Sequence, residues 1–348
     1  MQGNSKMITI KPEKMKILVT GATGYIGNRL AQTLAEAGNT VHILVRNLRS
    51  VPKGSLRTNL PLHTNIKVFA GDITDIASIA RAIGGCTQVY HAAAMTNIYT
   101  KDPSAIFETN VSGTQNMLTA SKEARVEKLV FTGTCSVFGP SILEPTREDD
   151  RRIIRYTNNY EQSKSVAENL VKEYSGKGLQ TVIVDLTKVF GPGIETRSMS
   201  VNRVIRDFIA GKICVHPMPS SIISNYVFID DAVRGHILAM QNGISGEKYI
   251  IGGENVSYTV FFDALRSMTG THGRVIAVPK FIALAIGWLN LVKGNITGKE
   301  PFFTHKEAKL VYDNRAFFSE KAHQQLGYEI TPFEDALRQT INFLKEKS

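Results

Sequence analysis

Six short, mostly β-branched runs alternate with helical patterns along the first half of this 348-residue chain. They are KILVT (Lys16 to Thr20), VHILV (Val41 to Val45), IKVFA (Ile66 to Ala70), QVYHAA (Gln88 to Ala93), KLVFT (Lys128 to Thr132) and TVIVDL (Thr181 to Leu186). Near-continuous apolar strands separated by helices are what a parallel sheet buried on both faces requires. The sequence therefore predicts an α/β fold with a doubly wound parallel sheet.

The first run leads into a glycine-rich turn, GATGYIG, and then into a helical pattern that ends at Gly38. Glycines between a strand and a helix allow a tight turn, let the backbone approach a pyrophosphate and let the helix pack closely, while the helix N-terminus attracts phosphates. We therefore predict a Rossmann-type dinucleotide-binding domain. The residues predicted to hold the cofactor here are Gly21, Thr23, Gly24, Tyr25, Ile26 and Gly27.

The residues after the second run indicate which dinucleotide is bound. An NAD site needs an acidic residue there for the ribose 2′-hydroxyl, whereas an NADP site needs cations for the 2′-phosphate. Arg46 follows the run directly, Arg49 is close behind, and no carboxylate is near. NADP(H) is therefore favoured over NAD(H), with solvated loop charges as the alternative interpretation of both arginines.

The third run ends in GDITD, where Asp72 and Ile73 are predicted to lie beside the cofactor. Asp72 is placed to accept a hydrogen bond from the adenine amino group. Capping of the following helix by Asp72 or Thr74 is an equally ordinary role, and both roles stay open.

The alternation becomes irregular from about Gly191, where loops rich in Gly, Pro and Ser follow. We predict an N-terminal tail over residues 1–14, an NAD(P)-binding domain over 15–190, and a smaller, mainly substrate-binding or lid region over 191–348. Some segments of that last region are expected to return to the sheet.

Composition and charge narrow the class of protein. The three cysteines, Cys86, Cys135 and Cys214, are far apart and odd in number, which fits neither a disulfide framework nor a metal site. A reducing, cytoplasmic location without a bound metal is therefore expected. The N-terminus lacks the apolar core of a secretory signal. The net charge of +10 is spread along the chain, so no nucleic-acid partner is expected.

The most apolar segment runs from Val275 to Val292, VIAVPKFIALAIGWLNLV. Pro279, Lys280 and Asn290 interrupt it, so no transmembrane helix and no stable membrane insertion are expected. A buried or cleft-lining helix is the simpler interpretation, and contact with a membrane surface is the alternative.

The stretch YEQSK places Tyr160 and Lys164 four residues apart, on one face of a helix. In chain order, the glycine turn, GD, HAAA (His91 to Ala94), Asn110, FTGTCSVFG (Phe131 to Gly139), YEQSK and FGPG (Phe190 to Gly193) together resemble an extended short-chain dehydrogenase/reductase. The later YVFIDDAVRGHILAM, GEKYIIGGE and SEKAHQQLGY also match that group. The resemblance therefore covers nearly the whole chain.

The resemblance implies specific roles. Tyr160 is expected to be the acid/base, with a pKa lowered by the Lys164 ammonium and the nicotinamide charge. Lys164 would also hold the nicotinamide ribose, Thr134 would bind the substrate oxygen with Ser136 as runner-up, and Asn110 would hold a water near the lysine. Further cofactor contacts are expected from Ala92, Ala93, Leu186 and Val189, and substrate contacts from Thr96, Ser136, Phe138, Thr187 and Lys188.

Departures from the group's pattern select a branch. Nucleotide-sugar epimerases usually carry two arginines that bind the substrate diphosphate, and this chain has Ser224 and AKLV (Ala308 to Val311) at those places. Arg234 or Arg315 stays open as a substitute. Asp185 and Leu186 stand where most members have Arg-Pro, and LTKVFGPG and VRN are similar to the dihydroflavonol-reductase and 3β-hydroxysteroid-dehydrogenase branch.

The resulting expectation is an NADP(H)-dependent reductase of a ketone or aldehyde, or dehydrogenase of the alcohol, on a small lipophilic substrate. A nucleotide-sugar epimerase or dehydratase is the enzymatic alternative. A non-catalytic NADP-binding or RNA-binding protein is the third class, although members of that kind tend to lose the Tyr/Lys pair. The resemblance also implies homodimerisation through two helices per subunit.

Overall fold

The computed structural model of the protein describes residues 14–47, 63–96, 102–196, 199–271, 273–297, 301 and 303–347. The strands are β1 (Lys16–Thr20), β2 (Thr40–Val45), β3 (Ile66–Ala70), β4 (Gln88–His91), β5 (Lys128–Thr134), β6 (Gln180–Leu186), β7 (Lys188–Phe190), β8 (Cys214–Met218), β9 (Ile223–Phe228), β10 (Lys248–Ile251), β11 (Glu254–Ser257) and β12 (Val275–Pro279). The helices are α1 (Tyr25–Glu36), α2 (Ile76–Ile83), α3 (Pro103–Phe107), α4 (Gly113–Glu123), α5 (Asn159–Ser175), α6 (Ser200–Ile209), α7 (Ile229–Asn242), α8 (Tyr258–Thr269), α9 (Lys280–Thr297), α10 (His305–Val311), α11 (Glu320–Leu326) and α12 (Phe333–Glu346). A π-helical turn, Glu108–Ser112, joins α3 to α4.

A seven-stranded sheet in the order β10-β6-β5-β4-β1-β2-β3 forms the centre, and every neighbouring pair in it is parallel. Side chains alternate between its faces: Ile17 and Val19 are buried with the apolar side of α1, and Leu18 is buried on the other face with residues of α2 and α4. Helices therefore cover both faces. The predicted doubly wound α/β fold is confirmed, and all six predicted runs are strands.

The C-terminal region has a core of its own, formed mainly by aromatic side chains. Phe190, Tyr226, Phe261 and Phe333 lie with ring centroids 5.3–6.3 Å apart. A three-stranded sheet, β11-β9-β7, and a two-stranded sheet, β12-β8, flank this cluster. Strand β10 leaves the region and adds to the edge of the central sheet beside β6. The boundary near residue 190 stays a prediction, and residues 1–13 of the predicted tail lie outside the described residues.

The apolar segment begins as β12 and continues into α9, and the simpler interpretation, a buried helix, is wrong for most of the side chains of α9. Only Ala283, Gly287 and Gly294 of this helix are buried, whereas its large side chains are mostly exposed. The physical reason is close packing: a Cβ on Gly287 would lie 2.5 Å from the His305 backbone nitrogen, so the small residues face α10. Across the described ranges, no helix combines the length and hydropathy that crossing a membrane requires.

Candidate active site

The carboxyl ends of β1 and β4 meet where the strand order reverses, which is where open α/β sheets bind ligands. The glycine turn after β1 packs against the backbone that follows β4. A Cβ on Gly21, which has φ +75°, would lie 2.6 Å from the Ala92 carbonyl carbon and 2.7 Å from the Ala93 nitrogen. A Cβ on Gly27 would lie 2.4 Å from the Gly21 carbonyl oxygen. Larger residues therefore do not fit at either position.

Helix α1 begins at Tyr25 with Gly24 as its N-cap, and no side chain caps it. Such an N-terminus, with free N–H groups beside a glycine turn, is suited to pyrophosphate oxygens. The Tyr25 hydroxyl donates a 2.7 Å hydrogen bond to the Gly191 carbonyl, so its side chain supports a neighbouring loop instead. Thr23 is exposed in the turn, and Ile26 packs against the core. The backbone of the turn thus fits a dinucleotide.

Arg46 is the first residue after β2, and its side chain is exposed. Arg49 lies outside the described residues. After β3, the Asp72 carboxylate accepts hydrogen bonds from the Thr74 nitrogen at 2.9 Å and its hydroxyl at 3.0 Å. The Ile73 side chain is buried against α4, so only its backbone is left to face a cofactor.

Capping of α2 by Asp72 or Thr74, one of the two roles left open for this stretch, is wrong. Asp75 caps this helix, and its carboxylate accepts from the Ala77 nitrogen at 3.0 Å. Asp75 immediately precedes the first helical residue, so its side chain reaches the free N–H groups, whereas Asp72 lies too early in the chain and closes a local turn.

Tyr160 and Thr134 come together at the carboxyl end of β5. Thr134 is the last residue of that strand; its hydroxyl lies near that of Tyr160 and accepts a hydrogen bond from the Ser136 nitrogen at 3.3 Å. Tyr160 lies in the first turn of α5, which Asn158 caps by accepting from the Glu161 nitrogen. Burial raises the pKa of Tyr160 to about 12, and the Thr134 hydroxyl offsets part of that rise. The two hydroxyls form a compact pair suited to one substrate oxygen.

Lys164 lies one turn along α5 from Tyr160 and is buried. Its ammonium donates a 2.7 Å hydrogen bond to the Thr132 carbonyl and lies 3.9 Å from the centre of the Phe131 ring. Burial lowers the pKa of Lys164 to about 8, although nearby carboxylates oppose this. In the protein alone the pKa of Tyr160 is raised, by burial and by three neighbouring carboxylates, and the expected lowering by the ammonium together with the nicotinamide charge stays a prediction.

Asn110 lies in the π-helical turn and is buried. Its side chain accepts from the Met95 nitrogen at 2.8 Å and donates to the Met95 carbonyl and the Ser163 hydroxyl, each at 3.0 Å. Asn110 therefore fastens the loop after β4 to the helix that carries Tyr160. Its predicted role in holding a water stays a prediction.

His91 connects this turn to the first strand. Its Nδ1 lies 2.7 Å from the Thr20 hydroxyl and its Nε2 lies 3.1 Å from the Thr114 hydroxyl, which donates to the Asn110 carbonyl at 2.7 Å. Burial lowers the pKa of His91 to about 3, so the ring is neutral. The His91 ring thus links β1 to α4 through a hydrogen bond on each side.

A buried charge cluster behind the active site was missed in the sequence. The Lys248 ammonium, from β10, lies 3.4 Å from the Glu168 carboxylate and 3.9 Å from that of Asp185. Neither Asp185 oxygen, nor Oε1 of Glu168, has a hydrogen-bond donor among the described residues. Burial raises the pKa of both carboxyls, that of Glu168 strongly. Burial thus favours the protonated form of each carboxyl, and the nearby Lys248 ammonium opposes this.

Part of this cluster had a sequence signal. Glu168 follows Lys164 by four residues, as Lys164 follows Tyr160, so helical spacing places all three on one face. Asp185 was noted only as a departure from Arg-Pro. Lys248 had no signal, since its approach depends on β10 pairing with β6.

The loop after Thr134 is fixed by a second set of buried charges. The Arg152 guanidinium donates to the Ser136 and Val137 carbonyls at 2.7 and 3.1 Å and lies 2.6 Å from the Glu161 carboxylate. Arg315 lies 3.6 Å from the other oxygen of Glu161, and its Nε and Nη2 have no hydrogen-bond partner in the described part of the chain. These ion pairs position the loop that carries Ser136.

The other residues predicted to contact the cofactor or the substrate lie in three different places. Lys188 is half-buried, and its ammonium donates a hydrogen bond to the Ser224 hydroxyl at 2.7 Å. Its neighbours in sequence are Leu186 at the end of β6, Thr187, and Val189, which lies with Lys188 in β7. Thr96 is exposed in the segment after β4. Phe138 is instead 7% exposed in a small core cluster with Phe317 and Ile250, so its ring is packed inside the protein.

The model of the NAD dependent epimerase/dehydratase family matches residues 17–252. The chain belongs to this family. It is 28% identical over 336 residues to a provisionally named dihydroflavonol 4-reductase of Synechocystis sp., with 94% of each chain covered. It is 27% identical over 339 residues to sterol demethylase protein B of Methylococcus capsulatus, with 96% of this chain and 99% of the relative covered. UDP-glucose 4-epimerase of Thermotoga maritima shares the fold, with a TM-score of 0.77 and 20% identity over 96% of this chain and 99% of that one.

Membership in the epimerase/dehydratase family confirms the resemblance and makes the chain an NAD(P)-dependent enzyme. The glycine turn after β1 and the uncapped N-terminus of α1 fit the nicotinamide cofactor of the family. The roles of individual residues stay predictions. Among the described residues, no three His, Cys, Asp or Glu side chains come together as metal ligands.

Proposed function

We propose that the protein is an NADP(H)-dependent oxidoreductase that reduces a ketone or aldehyde on a small lipophilic substrate. The pairing of the Tyr160 and Thr134 hydroxyls carries this proposal. Two hydroxyls that meet at the carboxyl end of β5 can bind one carbonyl oxygen from two directions, and one of them can pass it a proton. The two curated relatives described above are named for a flavonoid reductase and a sterol demethylase, which supports a lipophilic substrate.

The residues divide the work as follows. Thr134 orients the substrate oxygen, and Tyr160 donates the proton to it as the carbonyl becomes an alcohol. A bound nicotinamide supplies the hydride, or accepts it in the reverse direction. The Tyr160 hydroxyl is protonated at neutral pH and can therefore donate, but its pKa of about 12 in the protein alone makes it a weak acid, so the proposal requires the bound nicotinamide charge to lower that pKa. Lys164 holds the nicotinamide ribose in this proposal, and its ammonium also donates a hydrogen bond to the Thr132 carbonyl.

The first experiment measures NADPH oxidation by absorbance with a panel of carbonyl compounds. Tyr160→Phe should lower kcat at least about 100-fold, since general acid catalysis contributes that much or more, and leave the Kd for NADPH within a few-fold. Tyr156→Phe is the matched control, because Tyr156 precedes the same helix and its hydroxyl bonds only to Ser165 in the described chain. If no carbonyl is reduced, or if both variants behave alike, the proposal fails.

The NADP preference rests on Arg46, the exposed cation directly after β2. A guanidinium binds a 2′-phosphate through charge-assisted hydrogen bonds, which are stronger than the hydrogen bonds it can form with an uncharged 2′-hydroxyl. Arg46→Asp should therefore weaken NADPH binding far more than NADH binding, as measured by fluorescence titration, whereas Arg46→Lys should keep most of the preference. Equal losses for the two cofactors would refute this assignment.

A nucleotide-sugar epimerase or dehydratase is the second candidate. Of the two arginines left open as diphosphate ligands, Arg234 bonds to Asp231 and to the Glu329 carbonyl, which makes it a poor substitute. Arg315 forms a β-bridge with Ser224, and within the described residues its Nε and Nη2 make no hydrogen bond, although Nη2 is ion-paired with Glu161; the two free donors favour the alternative. Interconversion of sugar nucleotides without net NADPH consumption would identify it. Cofactor binding with neither activity would indicate a non-catalytic protein.

The proposal includes a cytoplasmic location and a homodimer. The location is supported by three cysteines that are buried and free. Light scattering of the purified protein with NADPH tests the dimer, and a monomeric mass at all concentrations would refute it.

A further inference from the structure

Helix α9 has its apolar character on the outside. Its buried stripe is made of Ala283, Gly287 and Gly294, and its outward surface carries six large apolar side chains. They are Phe281 (72% exposed), Ile282 (39%), Ile286 (47%), Trp288 (58%), Leu289 (60%) and Ile296 (80%), here called the α9 face. At roughly 200 Å² per large side chain, they expose about 700 Å² together. This exceeds the largest apolar patch of a typical monomer, which covers roughly 300–600 Å².

The orientation of α9 is fixed by packing. A Cβ on Gly287 would lie 2.5–2.8 Å from the backbone of Thr304 and His305, so only the glycine side of the helix can approach α10 so closely. Rotation of the helix would drive its large side chains into that backbone. The α9 face is therefore a fixed part of the surface, and a partner of matching chemistry must cover it if it is to leave water.

The neighbouring surface extends the apolar character. Strand β12 ends at Pro279, immediately before α9, and pairs in parallel with β8. Val215 and Ile276 are register partners in this pair and are 62% and 48% exposed.

Charge around α9 selects the kind of partner. Residues 271–313 contain six basic residues, Arg274, Lys280, Lys293, Lys299, Lys306 and Lys309, against three acidic ones, Glu300, Glu307 and Asp313. Glu307 is held in the capping box of α10, and Asp313 lies 3.9 Å from Lys280. The segment is therefore net basic. Of these cations, Lys280 and Lys293 belong to α9 itself and are exposed, and the helix carries no acidic residue. An apolar helix face with its own lysines matches the interface of an anionic lipid bilayer.

Lys293 distinguishes a bilayer from a second copy of the chain. It is exposed and follows Leu289 by four residues and precedes Ile296 by three, so it lies within the α9 face. The centres of protein–protein interfaces are depleted of lysine, because the ammonium would lose its water there. At a membrane surface the same side chain lays its methylene groups along the apolar layer and keeps the ammonium among the lipid headgroups.

We propose that the α9 face docks the protein on the surface of an anionic membrane, with α9 lying in the plane of the bilayer interface. Phe281, Leu289 and Ile296 enter the boundary of the acyl chains, and the flanking lysines bind lipid phosphates. The helix does not cross the membrane. This inference does not depend on the proposed reaction.

Trp288 makes the test direct, because it is the one tryptophan of the whole chain and lies in the α9 face. Purified full-length protein is mixed with vesicles of phosphatidylcholine, with or without phosphatidylglycerol, and binding is followed by sedimentation and tryptophan emission. The protein should sediment with the anionic vesicles, its emission should shift to the blue, and salt should weaken binding. Retention in the supernatant with unchanged emission would overturn the proposal.

Variants test whether α9 is the surface in contact. Leu289→Ser combined with Ile296→Ser should reduce the bound fraction at subsaturating lipid at least about tenfold. Ile244→Ser is the matched control, since Ile244 is 55% exposed in the loop after α7 and should have no effect. Circular dichroism and NADPH binding verify that both proteins are folded. Equal binding by the two variants, or a blue shift that depends on protein concentration without lipid, would overturn the proposal, and the latter would indicate a second copy.

Discussion

Replacing Lys248 by methionine should destabilise the protein by about 2–3 kcal/mol near pH 8. The Lys248 ammonium lies 3.4 Å from the Glu168 carboxylate and 3.9 Å from that of Asp185. At an effective dielectric constant of about 20, one negative charge at that distance interacts with the ammonium by roughly 5 kcal/mol. With one charged carboxylate as the partner, and with lost hydration offsetting about half of the attraction, about 2–3 kcal/mol remains.

The loss should shrink as the pH falls. The pKa values of Glu168 and Asp185 are raised in the folded protein, mainly by burial. Each carboxyl therefore binds its proton at a higher pH when folded than when unfolded, and its burial penalty grows as the pH rises through the folded pKa. Lys248 offsets this penalty only while a carboxylate is charged. The difference between the variant and the wild type should be largest near pH 8 and smallest near pH 5.

Urea unfolding at several pH values, followed by circular dichroism, measures this difference. Lys321→Met is the matched control: Lys321 lies 2.7 Å from Glu247, but that carboxylate is 47% exposed, so the expected loss is below about 1 kcal/mol. Replacing Asp185 by asparagine in the Lys248→Met background should recover part of the stability, because it removes the unbalanced charge. Equal losses for the two lysine variants, or a Lys248→Met loss that does not change with pH, would refute this reasoning.

Two further substitutions test the support of the active site. Gly27→Ala should cost about 1–3 kcal/mol and weaken NADPH binding, because its Cβ would lie 2.4 Å from a carbonyl oxygen; Gly176→Ala, with 3.6 Å to its nearest neighbour, is the control, and similar losses in thermal unfolding would contradict the prediction. Asn110→Ala should cost about 1–3 kcal/mol in urea unfolding, because it leaves the polar groups of Met95 unpaired, and an unchanged unfolding midpoint would contradict that role.

The fold could be predicted because its signals are local. Each parallel strand is a short apolar run, and the glycine turn carries its own steric requirements at Gly21 and Gly27. The meeting of Thr134 and Tyr160 followed from the ordered motifs of the family. The cap of α2 was misassigned because GDITD offers three side chains of similar capping ability, and only the helix start at Ile76 selects Asp75.

What could not be predicted depends on contacts between distant parts of the chain. The raised pKa of Tyr160 results from burial and from carboxylates of α5 and β6, which no short motif specifies. Lys248 approaches Glu168 only because β10 pairs with β6. The outward face of α9 depends on Gly287 meeting the backbone before α10. The hydropathy of the sequence indicates how apolar such a helix is, but it does not indicate which side of the helix packs against the rest of the protein.

The late arrival of β10 has a consequence for synthesis on the ribosome. When residues up to about 190 have emerged, β6 is still an open edge, and Asp185 and Glu168 lack the Lys248 ammonium that lies beside them in the complete fold. The sheet and its charge balance are completed only when Lys248 follows, more than 60 residues after Asp185. A nascent chain stalled or cleaved in that interval would expose a strand edge able to pair with other chains.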